Sequence, residues 1–115
     1  MSLRLSISLT LLTVLSFPAE AVPTYSQINH IAQRICQLPE REQPTTTEIK
    51  PGLYYDPQAT AIYNQEMGKL LDSGDLLPIQ WVNKDLMESV DNRLVGEIYA
   101  RCQRHMGFTR NLNGE

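Results

Sequence analysis

The chain has no apolar stretch of the roughly 20 residues that a membrane-spanning helix requires. Charge of one sign is also missing: 10 lysines and arginines face 13 aspartates and glutamates in the 115 residues, and the two signs are interspersed over 22–115. Without a basic stripe, nucleic acid is not the expected partner. No G-x-S-x-G turn, Walker-type loop or G-x-G-x-x-G stretch occurs, which removes the usual nucleophile elbow and phosphate cradles. Cys-x-x-Cys pairs are absent as well, so neither a two-pair zinc site nor covalent haem attachment is expected. Repeats and low-complexity tracts do not occur. No motif carries a resemblance to a known family, and no cofactor or metal ligand set is expected.

What is present at the N-terminus is an address. Arg4 precedes a short apolar run from Leu5 to Phe17, broken by Pro18 and followed by the small-x-small triplet Ala19-Glu20-Ala21. Charge, apolar core, break and small residues in that order predict a secretory signal peptide over residues 1–21, cleaved after Ala21. The run is too short to span a bilayer, and hydroxyls at Ser6, Ser8, Thr10, Thr13 and Ser16 interrupt it. The expected product is a single small domain over 22–115, secreted or periplasmic, with no stable membrane insertion.

The chain has two cysteines, Cys36 and Cys102. In an exported protein an even, small count predicts one disulfide. A zinc set of Cys36, Cys102, His105 and His30 is disfavoured, because His30 falls on the opposite side of its helix from the apolar stripe.

Hydrophobic periodicity predicts three amphipathic helices. The first begins at Thr24 or Ser26 and runs to about Leu38, with Ile28, Ile31, Ala32, Ile35 and Cys36 on one face; Pro39 ends it. The second is capped by Asp56, starts on Pro57 and ends before Ser73-Gly74, with Ala59, Ile62, Tyr63, Met67, Leu70 and Leu71 as its stripe. The third is capped by Asn83 and runs from Lys84 to about Met106, with Leu86, Met87, Val90, Leu94, Val95, Ile98 and Cys102 inward and Gly107 as its stop. Residues 40–47 read as a loop, Ile49 to Tyr55 as an extended segment or turn, Leu76 to Val82 as an extended apolar connection, and 108–115 as a frayed tail. The predicted fold is therefore an all-α three-helix bundle with irregular connections, stapled by Cys36–Cys102.

The expected function is binding rather than catalysis, as an accessory or interaction protein with an extracytoplasmic protein partner. The candidate surface is Trp81, the one tryptophan, with Leu77, Ile79, Tyr54 and Tyr55, since aromatic and aliphatic groups together are what interfaces use. For Trp81 a second role, closing the bundle's own core, outweighs the first, because a small domain needs every large apolar group it has. Two alternatives stand beside this reading. One is a small exported hydrolase built from His105 and nearby carboxylates, although Glu66, Asp72, Asp75, Asp85, Glu88 and Asp91 read as solvated surface. The other is a structural envelope component that associates with itself.

Overall fold

The computed structural model describes residues 23–39 and 47–112. The expected leader and its cleavage site, and most of the loop at 40–46, lie outside the described residues, as do the last three positions. The described chain is mostly helical, with four helices: α1 (Tyr25–Cys36), α2 (Pro57–Ser73), α3 (Pro78–Trp81) and α4 (Lys84–Cys102). Strands β1 (Glu48–Lys50), β2 (Leu53–Tyr55) and β3 (Met106–Gly107) form a small sheet in the order β1-β2-β3. The fold is thus helical with an added sheet, and the expectation of a purely α-helical three-helix bundle is corrected on that point.

The helix starts follow from side-chain chemistry. Thr24 accepts a hydrogen bond from the Gln27 amide while Gln27 answers with its side chain to the Thr24 N–H, a reciprocal box that satisfies two otherwise orphaned donors. Asp56 accepts from the amides of Gln58 and Ala59, and Pro57 fills the first helical position, where no N–H is needed. Asn83 accepts from Leu86. Helix α2 ends on Gly74 at φ 83°, a left-handed cap that glycine adopts without a Cβ clash.

The core is formed by the stripes of the three long helices. Ile28, Ile31, Ala32 and Ile35 of α1 meet Ala59, Tyr63 and Met67 of α2 and Met87, Val90, Leu94 and Ile98 of α4, with Leu76, Trp81 and Phe108 filling its ends. The disulfide joins Cys36 to Cys102 at the C-terminal ends of α1 and α4, across a sequence separation of 66. Beside it, Arg104 donates to the carbonyls of Ile35 and Leu38 at 3.3 and 2.6 Å, satisfying acceptors that a helix end leaves open.

Two expected spans are corrected, the end of α4 and the connection from Leu76 to Val82, and the segment Ile49 to Tyr55, expected as extended or turn, is resolved into strands and a turn. Helix α4 stops at Cys102 rather than near Met106, because Gln103 turns into the left-handed region at φ 57°. The next residues then serve other partners: Arg104 clamps α1, and the His105 carbonyl accepts from the Tyr54 amide at 2.8 Å. Met106 and Gly107 run parallel to Tyr54 and Tyr55. The segment Ile49 to Tyr55 becomes a strand, a Pro51-Gly52 turn with Gly52 at φ 81°, and a second strand antiparallel to the first. The connection from Leu76 to Val82 contains the helical turn α3, opened by Pro78. Residues 108–111 are also part of the fold rather than a free end: Phe108 is buried against Tyr63, and Asn64 accepts from the Asn111 amide and donates to the Thr109 carbonyl.

Candidate docking surface

The segment after α2 is held at both ends and open in the middle. Asp75 and Leu76 both donate from their amides to the Leu70 carbonyl, and the Leu76 side chain is fully buried, so the chain leaves α2 in a fixed direction. The Leu77 amide then donates to the Gln80 side chain at 2.9 Å, and the Leu77 carbonyl accepts from the amides of Gln80 and Trp81. At the far end Trp81 turns inward, 7% exposed. Its ring stands 6.0 Å from that of Tyr63, which stacks on Phe108 at 4.2 Å. Arg110 lies over the Trp81 ring at 5.4 Å and donates to the Trp81 carbonyl.

With its backbone fixed in this way, the turn carries three aliphatic side chains in solvent: Leu77 is 49% exposed, Ile79 72% and Val82 53%. Single exposed apolar residues are ordinary. Three within six consecutive positions on one pinned turn make an apolar ledge.

Of the residues singled out from sequence, Leu77 and Ile79 are on this ledge. Trp81 is beneath it, in the core, which answers to the second role the sequence allowed it. Tyr54 and Tyr55 stand apart on the central strand β2, Tyr54 39% exposed and Tyr55 half-buried. No ring contact among the described residues joins either to Trp81. Val82 was not among the sequence candidates, although its place at the end of the apolar run was the available signal.

His105 is exposed and tilted against Tyr99 at 4.7 Å. It lines neither of the two hollows described below. Two carboxylates expected on the surface are instead withdrawn from it. Asp91 is half-buried and accepts from the Tyr63 hydroxyl at 2.6 Å. Burial, and then the Asp91 carboxylate, push the Tyr63 phenol above its usual range. Burial likewise raises the Asp91 carboxyl, against the lowering influence of the Tyr63 bond and of the Arg110 and Lys50 charges. The periodicity contained the signal: Asp91 is four residues after Met87 and four before Val95. The hollow beside it, lined in part by Ile49, Leu53 and Phe108, measures only about 50 Å³.

Glu66 is buried between α1 and α2, seven residues after Ala59 and three after Tyr63 on the same stripe. Its Oε2 accepts from Arg34 at 2.5 Å and from Lys69 at 3.4 Å, with His30 Nε2 at 3.6 Å. Burial acts to raise this carboxyl, but the bonds from Arg34 and Lys69 outweigh it and hold the group below its usual range. Glu66, His30, Ser26, Gln27, Ile31 and Leu70 line an open groove of about 290 Å³, near the small end of ligand-sized cavities. Among the described residues, no three His, Cys, Asp or Glu side chains are grouped to hold a metal ion, and no helix is long and apolar enough to cross a membrane.

The class these features define is a small, mostly helical, disulfide-linked fold with a three-stranded sheet and an apolar ledge. No known protein family matches the chain, and no curated protein or solved structure matches it.

Proposed function

We propose that the protein is a non-catalytic binding module that works outside the cytoplasm and docks a protein partner through Leu77, Ile79 and Val82. The observation that carries this reading is the exposure of those three aliphatic side chains on a turn pinned by Arg110, Gln80 and the buried Trp81. Side chains presented on a fixed backbone lose little further freedom on binding, so their apolar area converts to affinity with less offset. The disulfide supports the compartment, since such bonds persist in oxidising surroundings. His105 lines neither the groove at Glu66 nor the smaller hollow at Asp91, and the hydrolase alternative draws no support from those two.

A photo-crosslinking side chain at position 79 tests the reading in the native compartment, with the exposed Arg101 position as control. Discrete protein adducts from position 79 and none from 101 are expected. Absence of any adduct at 79, or equal labelling at both positions, rejects the docking role.

A further inference from the structure

We infer that the groove between α1 and α2 binds a single neutral sugar ring, with Glu66 Oε1 accepting from its hydroxyls. The site is separate from the ledge, and the two readings stand or fall independently.

Glu66 is 6% exposed and lines this groove. Its two oxygens are used unequally. Oε2 accepts from both Arg34 and Lys69, and His30 Nε2 stands 3.6 Å from the same oxygen. Oε1 accepts from no donor among the described residues. Nor is it sealed away: the side-chain atoms that are both closed to solvent and unpartnered among the described residues are Asn29 Oδ1 and Thr60 Oγ1. Against the effect of burial, the bonds from Arg34 and Lys69 keep the carboxyl ionised below its usual range, so Oε1 accepts and cannot donate. A carboxylate withdrawn from bulk water needs donors on both oxygens. Within the chain one oxygen has them, and the other is left to whatever enters the groove.

The chemistry of the entrant follows from what Oε1 lacks and what Oε2 already holds. An anion brings oxygens and no donor. A cation brings donors, but its charge meets Arg34 and Lys69 beside a carboxylate they already neutralise. A neutral hydroxyl donates to Oε1 without either conflict. Ser26 and His30 line the same groove, and each exchanges hydrogen bonds with a group that both donates and accepts, as a hydroxyl does and an amide N–H does not. Ile31 and Leu70 supply the apolar part of the lining, suited to the C–H face of a ring whose hydroxyls point to its edge. The volume of about 290 Å³, at the low end for ligand pockets, suits one ring rather than a longer chain.

The test titrates the isotope-labelled full chain with glucose, galactose and mannose, and separately with acetate, methylammonium and N-methylacetamide, following amide and imidazole resonances by NMR. At least one hexose is expected to shift Ser26, His30, Ile31 and Leu70 saturably, with a Kd of about 1 mM or tighter. The three small probes are expected to give no saturable shift there. Saturable binding of acetate, methylammonium or N-methylacetamide at these residues without a hexose overturns the assignment. Hexose shifts confined to other residues, or no saturable shift at all, overturn it as well. Glu66→Gln, with helical content checked by circular dichroism, is expected to weaken hexose binding by about tenfold or more, because a charged acceptor is replaced by a neutral one. Since that change also deprives Arg34 of its partner, Ser26→Phe provides a second variant that leaves the Glu66 bonds in place. Ser26 is exposed at the groove, and the added ring is expected to obstruct it and weaken binding by about tenfold or more. Wild-type affinity in Ser26→Phe, or in a folded Glu66→Gln, overturns the site.

Discussion

Asp91 is a carboxylate whose surroundings favour its neutral form, and that preference becomes a dependence of stability on pH. Burial holds its proton in the folded state to higher pH than in the unfolded chain, where the ordinary value is about 3.9. Between those two values the folded state binds more protons, so stability falls as pH rises. The favourable contribution is full below the unfolded value and gone once pH passes the folded one. Glu66 acts with the opposite sign, since its folded value is depressed: its contribution is present above the unfolded value and lost as pH falls through the folded one. The two slopes oppose each other in the wild type and are separated by substitution. Asp91→Asn keeps an acceptor for the Tyr63 hydroxyl and removes the titration. Urea unfolding of both proteins from about pH 3 to about pH 7 is expected to show the stability of the wild type, measured relative to the variant, declining as pH rises. A difference that stays constant across that range would mean that Asp91 titrates alike in the folded and unfolded chains.

At the scale of the element, the sheet is closed by one glycine that leaves little room for an added group. A Cβ on Gly107 would sit 3.0 Å from Ile49 Cδ1 and 3.4 Å from Leu53 Cβ. Gly107→Val adds two methyl groups beyond that point and forces β3 away from the hairpin, with an expected loss of about 1–3 kcal/mol. Chemical denaturation measures the loss, and amide exchange at Tyr54, which donates to the His105 carbonyl, reports where it falls. Unchanged protection at Tyr54 would show that the strand is not held by this close approach. The sheet was also the part least legible in the sequence. Its strands are two or three residues long, too short for alternation to be read, and Gly107 stands where a helix stop is equally reasonable. The helix starts were legible because Thr24, Asp56 and Asn83 cap through their own side chains. The end of α4 was not, since nothing local to Gln103 signals that Arg104 is taken up by the carbonyls of α1. The ledge was half legible. Its apolar composition is plain in the sequence, but the inward turn of Trp81 depends on Tyr63, Phe108 and Arg110, which are 18 or more residues away.

For the whole molecule, the cross-link between α1 and α4 ties the stability of the fold to the redox state of its surroundings. Cys36 and Cys102 are 66 residues apart in sequence, and closing a loop of that length removes about 4 kcal/mol of chain entropy from the unfolded state. A small domain has a net stability of about 5–15 kcal/mol, so the bond can decide whether the fold is robust or marginal. The helix ends it joins are also held without it, because Arg104 ties the Ile35 and Leu38 carbonyls to the chain just after α4. Losing the bond should therefore act chiefly through the unfolded chain and leave the native arrangement in place. Replacing both cysteines by serine is expected to preserve the far-ultraviolet circular dichroism spectrum while lowering unfolding stability by up to about 4 kcal/mol. The slope against denaturant should rise, because an uncross-linked chain exposes more surface when it unfolds. A variant that loses its helical spectrum would place the bond's contribution in the native packing of α1 on α4. A loss below about 1 kcal/mol would mean that the unfolded chain is already as restricted as the cross-link makes it, and oxidising surroundings would then matter little to the stability of this fold.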